Sequence, residues 1–300
     1  MDRLEKAVRL TRYSGIGAAL CIASCLAVRV IAAPDTDPQT ALAEINKWFS
    51  EQYAQARAIN DQGAFNKLMQ ERVQKAKAAV EGLSPATIAP EKALALAQLY
   101  SMAQMKNELI AAAERFLTSN PEPQQKFGAQ SLLLSGYSQT ENAVKLRETL
   151  LQIQPPAPAA AASLASMTGN MYYELIADKL GPQAAMDVLD KLEAQVPFDK
   201  LQSPPEKLQA DSAIVGVASG RADLLKRLGK SSEIIPTLEA AKKRLSENSR
   251  YGRSLDSMIK QNRLIGSPAP ELKRDRGYGQ FTTLESLRGK VVLVDFFAHW

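Results

Sequence analysis

Residues 38–60, PQTALAEINKWFSEQYAQARAIN, place Leu42, Ile45, Phe49, Tyr53, Ala56 and Ile59 three or four positions apart. That spacing follows the turn of an α-helix and gathers the six side chains into one apolar stripe. A helix from about Pro38 to Asn60 is predicted. Residues 65–82, FNKLMQERVQKAKAAVEG, repeat the pattern at Phe65, Leu68, Met69, Val73, Ala76 and Val80. Gly82 and Pro85 then stop the second helix, glycine by favouring a left-handed cap and proline by lacking a backbone N–H. Two such helices form a hairpin, and a hairpin buries its stripe only by packing against further elements.

The same grammar continues downstream. Helices are predicted over Glu91–Met102 and Lys106–Thr118, ending before Pro121, and over Gln124–Gly136 and Glu141–Gln152, ending before Pro155 and Pro156. Ser138 and Glu141 fit a capping box for the last of these. Pro121 and Pro155 lie 34 residues apart, and the order helix, break, helix, proline recurs to Pro197 and loosely to about Asn248. In architecture this resembles tetratricopeptide-type repeats, although their Trp-Leu-Gly-Tyr signature is not legible and the later intervals depart from their period. The expected fold is therefore mainly α: an array of divergent helical hairpins over 38–262 with a concave side suited to an extended protein or peptide partner. A plain helical domain without a binding role fits the same pattern. Pro155–Pro158 reads as a linker that enters a helix at Ala159–Ala162, and Pro197–Pro205 as a second break. The strongest boundary falls between Asn262 and Pro270, where the helical period ends.

Composition agrees with a helical chain of one large domain or two smaller ones. Apolar residues make up 45%, charged residues 23% and aromatic residues only 6%, while alanine and leucine abound. The formal charge is +5, of which Arg3, Lys6, Arg9, Arg12 and Arg29 against Asp2 and Glu5 supply +3. The remainder contains no aromatic-interleaved basic run, and Lys242-Lys243-Arg244 reads as the solvated end of a helix. Nucleic-acid binding is not expected.

The basic N-terminus leads into an apolar run from about Gly15 to Val28, then Val30-Ile31-Ala32 and a turn-rich Pro34–Pro38. This is the layout of an export signal over 1–32, too short for a comfortable membrane span. Cleavage after Ala32 is the first reading; a lipoprotein signal at Ile22-Ala23-Ser24-Cys25 and an uncleaved anchor are the alternatives. Both cysteines, Cys21 and Cys25, fall inside this segment, with three residues between them and in no redox context.

Beyond Asn262 the pattern changes. Ile265-Gly266-Ser267-Pro268-Ala269-Pro270 is followed by the turn-rich 274–279, by Leu284-Glu285-Ser286-Leu287-Arg288-Gly289-Lys290, and by the apolar run Val291–Trp300. A continuous run of β-branched and aromatic residues after Gly289 predicts a buried central strand. The Gly-x-x-Ala-Pro entry, the Leu-x-x-Leu-Arg-Gly-Lys turn and the closing Asp-Phe-Phe-Ala-His-Trp resemble thioredoxin-fold proteins of the TlpA/ResA type. The resemblance covers only 265–300, and implies that this stretch is the first part of an α/β thioredoxin-like domain.

It further implies a Cys-x-x-Cys directly after Trp300 and thiol–disulfide exchange with protein thiols and disulfides in the cell envelope, with no cofactor and no metal. Trp300 would flank the nucleophilic cysteine and form part of the docking surface. Asp295 matches a buried carboxylate that exchanges a proton with the second thiol; many members carry asparagine there. Phe297 stands where relatives have tryptophan, and His299, the only histidine, falls at a variable position. The chain to Trp300 carries the approach to such a site without the reacting sulfurs, so by itself it is expected to be inert, with Val291–Ala298 an exposed apolar strand. A peroxiredoxin shares the Ala-Pro entry but needs a Pro-x-x-x-Thr-x-x-Cys stretch that does not follow here. A helical scaffold with a degenerate thioredoxin-like module is the noncatalytic alternative. No phosphate loop or hydrolase triad is present.

Overall fold

The computed structural model describes residues 37–59, 62–265, 267–269 and 283–293. The expected signal at 1–32 and the residues Asp295, Phe297, His299 and Trp300 lie outside the described residues. Among the described residues the chain is mainly helical, with no strand.

The first hairpin joins α1, Pro38–Ile59, to α2, Gln62–Val80, close to the bounds its apolar stripes predict. Asp37 fixes the start of α1. Its Oδ2 accepts the N–H groups of Gln39 at 3.2 Å and Thr40 at 3.4 Å, while Oδ1 meets Lys92 at 2.9 Å. The Lys92 ammonium holds the Asp37 carboxyl below its usual range. Gly82 ends α2 in the left-handed region, with φ +77°, as expected of a glycine cap.

A short 3₁₀ turn, Pro90–Lys92, opens α3, Ala93–Met102; α4, Lys106–Leu117, α5, Pro123–Gln139, and α6, Ala143–Gln152, follow. Each helix packs on the next, and α3 also packs on α1 and α5, as in stacked hairpins. The turns inside these hairpins share one geometry. Gln104, at φ 62°, donates its N–H to Ser101 O at 3.2 Å, and Met105 donates to Tyr100 O at 2.9 Å. Glu141, at φ 53°, repeats this with Ser138 O at 3.2 Å, and Asn142 with Tyr137 O at 2.8 Å. Gly229, at φ 72°, does so with Lys226 O at 3.1 Å, and Lys230 with Leu225 O at 2.8 Å. These paired bonds satisfy the last carbonyls of each helix and reverse the chain.

The turn at Glu141 overturns the capping box expected for α6. Ser138 lies inside α5, and Glu141 is committed to the left-handed closure. Asn142 caps α6 instead, its Oδ1 accepting the Lys145 N–H at 3.1 Å. The structural repeat is also longer than the proline spacing suggests. Tyr100 and Tyr137 occupy equivalent buried sites 37 residues apart, as do Leu109 and Leu146, and Phe116 and Ile153. Prolines lie in the connections, where length is free to vary, so they mark the repeat poorly. Both tyrosines satisfy their hydroxyls, Tyr100 on Leu83 O at 2.9 Å and Tyr137 on Glu114 Oε1 at 2.7 Å. Burial, with Glu114 beside it, pushes the Tyr137 phenol well above its ordinary value.

Beyond Pro155, α7, Pro158–Met167, runs through a π-helical turn, Thr168–Tyr172, into α8, Tyr173–Leu180. Then come α9, Pro182–Ala194, α10, Pro204–Arg227, α11, Ile234–Arg244, and α12, Gly252–Leu264. Proline occupies the first residue of α5, α7, α9 and α10, where its missing N–H would have no partner anyway. A capping box does exist, at α10: Glu206 Oε2 accepts the Ser203 N–H at 3.0 Å and the Ser203 hydroxyl at 2.7 Å.

The 24-residue α10 is the axis of the second half. Ala210, Ala213, Val217 and Leu224 join the core shared with α1–α9, whereas Ile214, Val215, Ala218 and Leu225 form a second core with α11 and α12. Against α7 and the π turn, α10 makes a backbone-to-backbone contact. A Cβ on Gly169 would meet Val217 N at 2.6 Å, and one on Gly216 would meet Ser166 O at 2.8 Å. Ser166 and Ser212 hydroxyls bond at 2.8 Å across the same crossing.

Helical structure ends at Leu264, inside the expected boundary. Farther on, a 3₁₀ turn, Glu285–Leu287, leads to Gly289 at φ 82°. The buried strand expected from Val291 is not seen over 291–293. These residues are in no strand and are exposed, Val291 and Leu293 almost completely, because no strand among the described residues is there to pair with them.

Substituting Gly169→Ala or Gly216→Ala should cost about 3 kcal/mol or more, because backbone has to move. Gly128→Ala, in α5 with open space around it, should gain roughly 0.5–1 kcal/mol from helix propensity. Urea unfolding monitored by helical circular dichroism checks both signs. A second pair probes the turns: Gln104→Gly should stabilise by about 1 kcal/mol by relieving the left-handed penalty, and Gly229→Ala should destabilise by a similar amount. The same titration reads them.

Candidate functional site

The N-terminal half of α10 and the two segments beside it, 198–203 and 245–251, enclose two adjoining hollows. One of about 390 Å³ has apolar walls of Phe198, Leu201 and Ile214; an adjoining one of about 550 Å³ opens toward Asn248 and Arg250. Gln202, Lys207, Asp211, Ser246 and Glu247 line both. The Pro197–Pro205 break makes room for the cleft by delaying the start of α10.

Asp211 is its buried floor, only 3% exposed. A buried carboxylate requires hydrogen-bond donors to offset lost hydration, and Ser246 supplies two, its N–H at 2.9 Å and its hydroxyl at 2.5 Å. This pins the α11–α12 connection to α10. Next to it, Ser212 reaches Ser166 on one side and the Tyr251 hydroxyl on the other. Arg250 donates to the Tyr251 oxygen at 2.9 Å and holds that phenol below its ordinary value by favouring the phenolate. A polar line thus crosses from the 245–251 segment over α10 to the π turn, where Asn170 Nδ2 donates to Ser166 O at 2.7 Å.

The basic cluster at the end of α11 borders the cleft. It stands at a helix end, as expected, but two of its members are paired rather than simply solvated. Lys242 meets Asp256 at 2.5 Å; Arg244 meets Glu193, which also takes Arg221, and lies 4.8 Å from the Phe198 ring centroid. Glu193, largely covered, thus accepts from two guanidinium groups, one on α10 and one on α11.

Chemically the cleft offers hydroxyls and a rim of mixed charge around an apolar wall, over a carboxylate already engaged by Ser246. That set suits the recognition of a polar group. Among the described residues no group of three His, Cys, Asp or Glu side chains could hold a metal ion. The expected site residues Asp295 and Trp300 lie outside the described residues. Helical periodicity does not single out Asp211, Ser212 or Tyr251. An acidic residue within the apolar stretch Ala210–Val217 was the available signal, since an unpaired charge is not tolerated in a core.

The chain matches no family model, no curated protein and no solved structure. Nothing outside its own residues therefore assigns the cleft a ligand.

Asp211→Ala should cost about 2–3 kcal/mol, because the Ser246 N–H is left buried without an acceptor. In a double-mutant cycle with Ser246→Ala the two losses should be markedly less than additive, measured by urea unfolding.

Proposed function

We propose that this chain belongs to a thiol–disulfide oxidoreductase of the cell envelope, in which the helical array precedes a thioredoxin-like module beginning near Ile265. The observation that carries this reading is the ordered run of Gly266-x-x-Ala269-Pro270, Leu284-x-x-Leu287-Arg288-Gly289-Lys290 and Asp295-Phe296-Phe297-Ala298-His299-Trp300. The left-handed Gly289, followed by the non-helical 291–293, is compatible with a turn that enters a strand. Residues 1–32 would export the protein, with cleavage after Ala32 and lipidation at Cys25 as the other route.

In the proposed reaction, a cysteine directly after Trp300 attacks one sulfur of a partner disulfide as its thiolate. The partner's other sulfur leaves as thiolate, and a mixed disulfide forms. The second cysteine then gives its proton to Asp295 and attacks the first cysteine's sulfur. The partner leaves with both sulfurs reduced, and an internal disulfide remains. Asp295 suits the proton step because a carboxylate buried under a cysteine pair has a raised pKa. Trp300 would cover one side of the first thiolate. The helical array would hold a protein or peptide partner, and the cleft beside α10 would take a polar group of such a partner.

Sequencing the transcript through the codons after Trp300 and assaying the encoded protein for insulin reduction tests this. Cys-x-x-Cys should be found, the activity should vanish when the first cysteine becomes serine, and Asp295→Asn should slow turnover roughly tenfold or more at neutral pH. The chain ending at Trp300 should be inactive. A continuation lacking both cysteines overturns the proposal in favour of a noncatalytic helical scaffold.

A further inference from the structure

Sulfur in the described residues belongs to methionine alone, since Cys21 and Cys25 both lie outside them. Most of these thioethers are shielded. Met102, Met105 and Met186 pack against the main core, and Met186 and Met258 against the second. Met258 also engages its sulfur, which accepts the Ser219 hydroxyl at 3.5 Å. Three others stand open: Met171 is 62% exposed, Met167 44% and Met69 38%. Met69 is the single methionine of α2, whereas Met167 and Met171 lie four positions apart and share the outward side of one turn.

The π turn produces this pair. Its extra residue keeps Thr168, Gly169 and Tyr172 inward, so the contact with Gly216 is made on the side of the helix away from both thioethers. A thioether is oxidised where an oxidant can reach its sulfur, and the product, a sulfoxide, is polar and disrupts a core that has to hold it. A packed methionine such as Met186 is poorly placed on both counts. Met167 and Met171 are well placed on both: their sulfurs are reachable, and a sulfoxide at either position stays in water.

We propose that Met167 and Met171 form a reversible oxidation site for two-electron oxidants of the peroxide class. A lone pair on each sulfur attacks one oxygen of hydrogen peroxide, and the O–O bond breaks. The other oxygen leaves as hydroxide and takes up the proton released from the first, giving water. Each sulfur loses two electrons and becomes a sulfoxide, while the peroxide is reduced. Two neighbouring sulfoxides turn an apolar shoulder of the α7–α10 crossing into a hydrogen-bond-accepting one, with the buried crossing unchanged. A methionine sulfoxide reductase reverses the step, the oxygen leaving as water and a dithiol becoming a disulfide. The proposal rests on the array alone and holds whether or not a redox module follows it.

The folded full chain, treated with dilute hydrogen peroxide at neutral pH and followed by peptide mass mapping, tests this. Sulfoxide should form at Met167 and Met171 about tenfold or more faster than at Met102, Met105, Met186 and Met258. Helix content by circular dichroism should be unchanged once both are converted. A pair of methionine sulfoxide reductases, one for each sulfoxide epimer, should then restore both positions in the folded chain. Met167→Leu with Met171→Leu should remove these two oxygens and leave oxidation of Met69 at its former rate. In urea all the methionines should react alike. Packed methionines that keep pace in the folded chain overturn the proposal, as does loss of helix on oxidation of the pair. So does repair that requires unfolding, or a rate order that persists in urea.

Discussion

The contact of Gly169 with Gly216 sets how close α10 can come to α7 and the π turn. At these positions two helices approach until their backbones touch, leaving no room for even a methyl group. Gly220 extends the contact one turn on, where a Cβ would lie 3.0 Å from Gly169 O. The π turn at Thr168–Tyr172 belongs to this constraint. An extra residue in a helical turn redirects the side chains that follow, and here Thr168, Gly169 and Tyr172 face inward while Asn170 and Met171 face out. Close approach is what lets α10 be buried along both of its sides. A helix held farther from α7 would leave Ala213 and Val217 facing a gap, and gaps forfeit the dispersion contacts that favour burial.

Because α10 belongs to two cores at once, disturbance at the crossing spreads to both. Ile214 and Val217 point into different clusters although they are neighbours on one helix. The polar links are arranged accordingly. Asp211 fastens the 245–251 segment to α10 from one side, and Ser166 with Ser212 fastens α7 from the other. Arg227, contacting Asp178 and Asp223, ties the far end of α10 to α8. The last of these sits on open surface and contributes little to stability. Asp211 differs, since removing either partner strands a buried polar atom. The cleft beside it is therefore rigid at its floor and adjustable at its rim, where Lys207 and Glu247 are exposed.

Amphipathic helices were legible wherever one face is wet. The stripes of α1 and α2 predicted their extents to within a few residues, because half of each helix is in water and the period survives. In α10 that signal fails, since apolar residues occur almost all round between Ala210 and Leu225. A helix between two cores has no polar face to set the period against. One turn, at Glu141, was misread for a related reason. Gln104 and Glu141 adopt the left-handed conformation without being glycine, because stacking of the flanking helices compels the chain to reverse there. Sequence propensity at one residue cannot register a constraint imposed by helices ten residues away. Asp211 was hidden similarly: its partner Ser246 is distant in sequence, and only the fold joins them.

The segment after α12 obeys a different rule from the array. Every α-helix satisfies its own backbone, so the helices here present no row of free N–H and C=O groups to an extended chain. Val291–Leu293 consequently gain nothing by lying across them, and their side chains stay in water. An apolar run of that kind is stable only between strands, with helices covering the sheet faces. Under the proposed function it would be buried by strand pairing within the thioredoxin-like module. On that reading the array and the segment from Ile265 onward would be separate folding units. Under the proposed function this separation has a use: a rigid array can hold a partner while the redox module titrates, opens and closes its disulfide without straining the contact between Gly169 and Gly216.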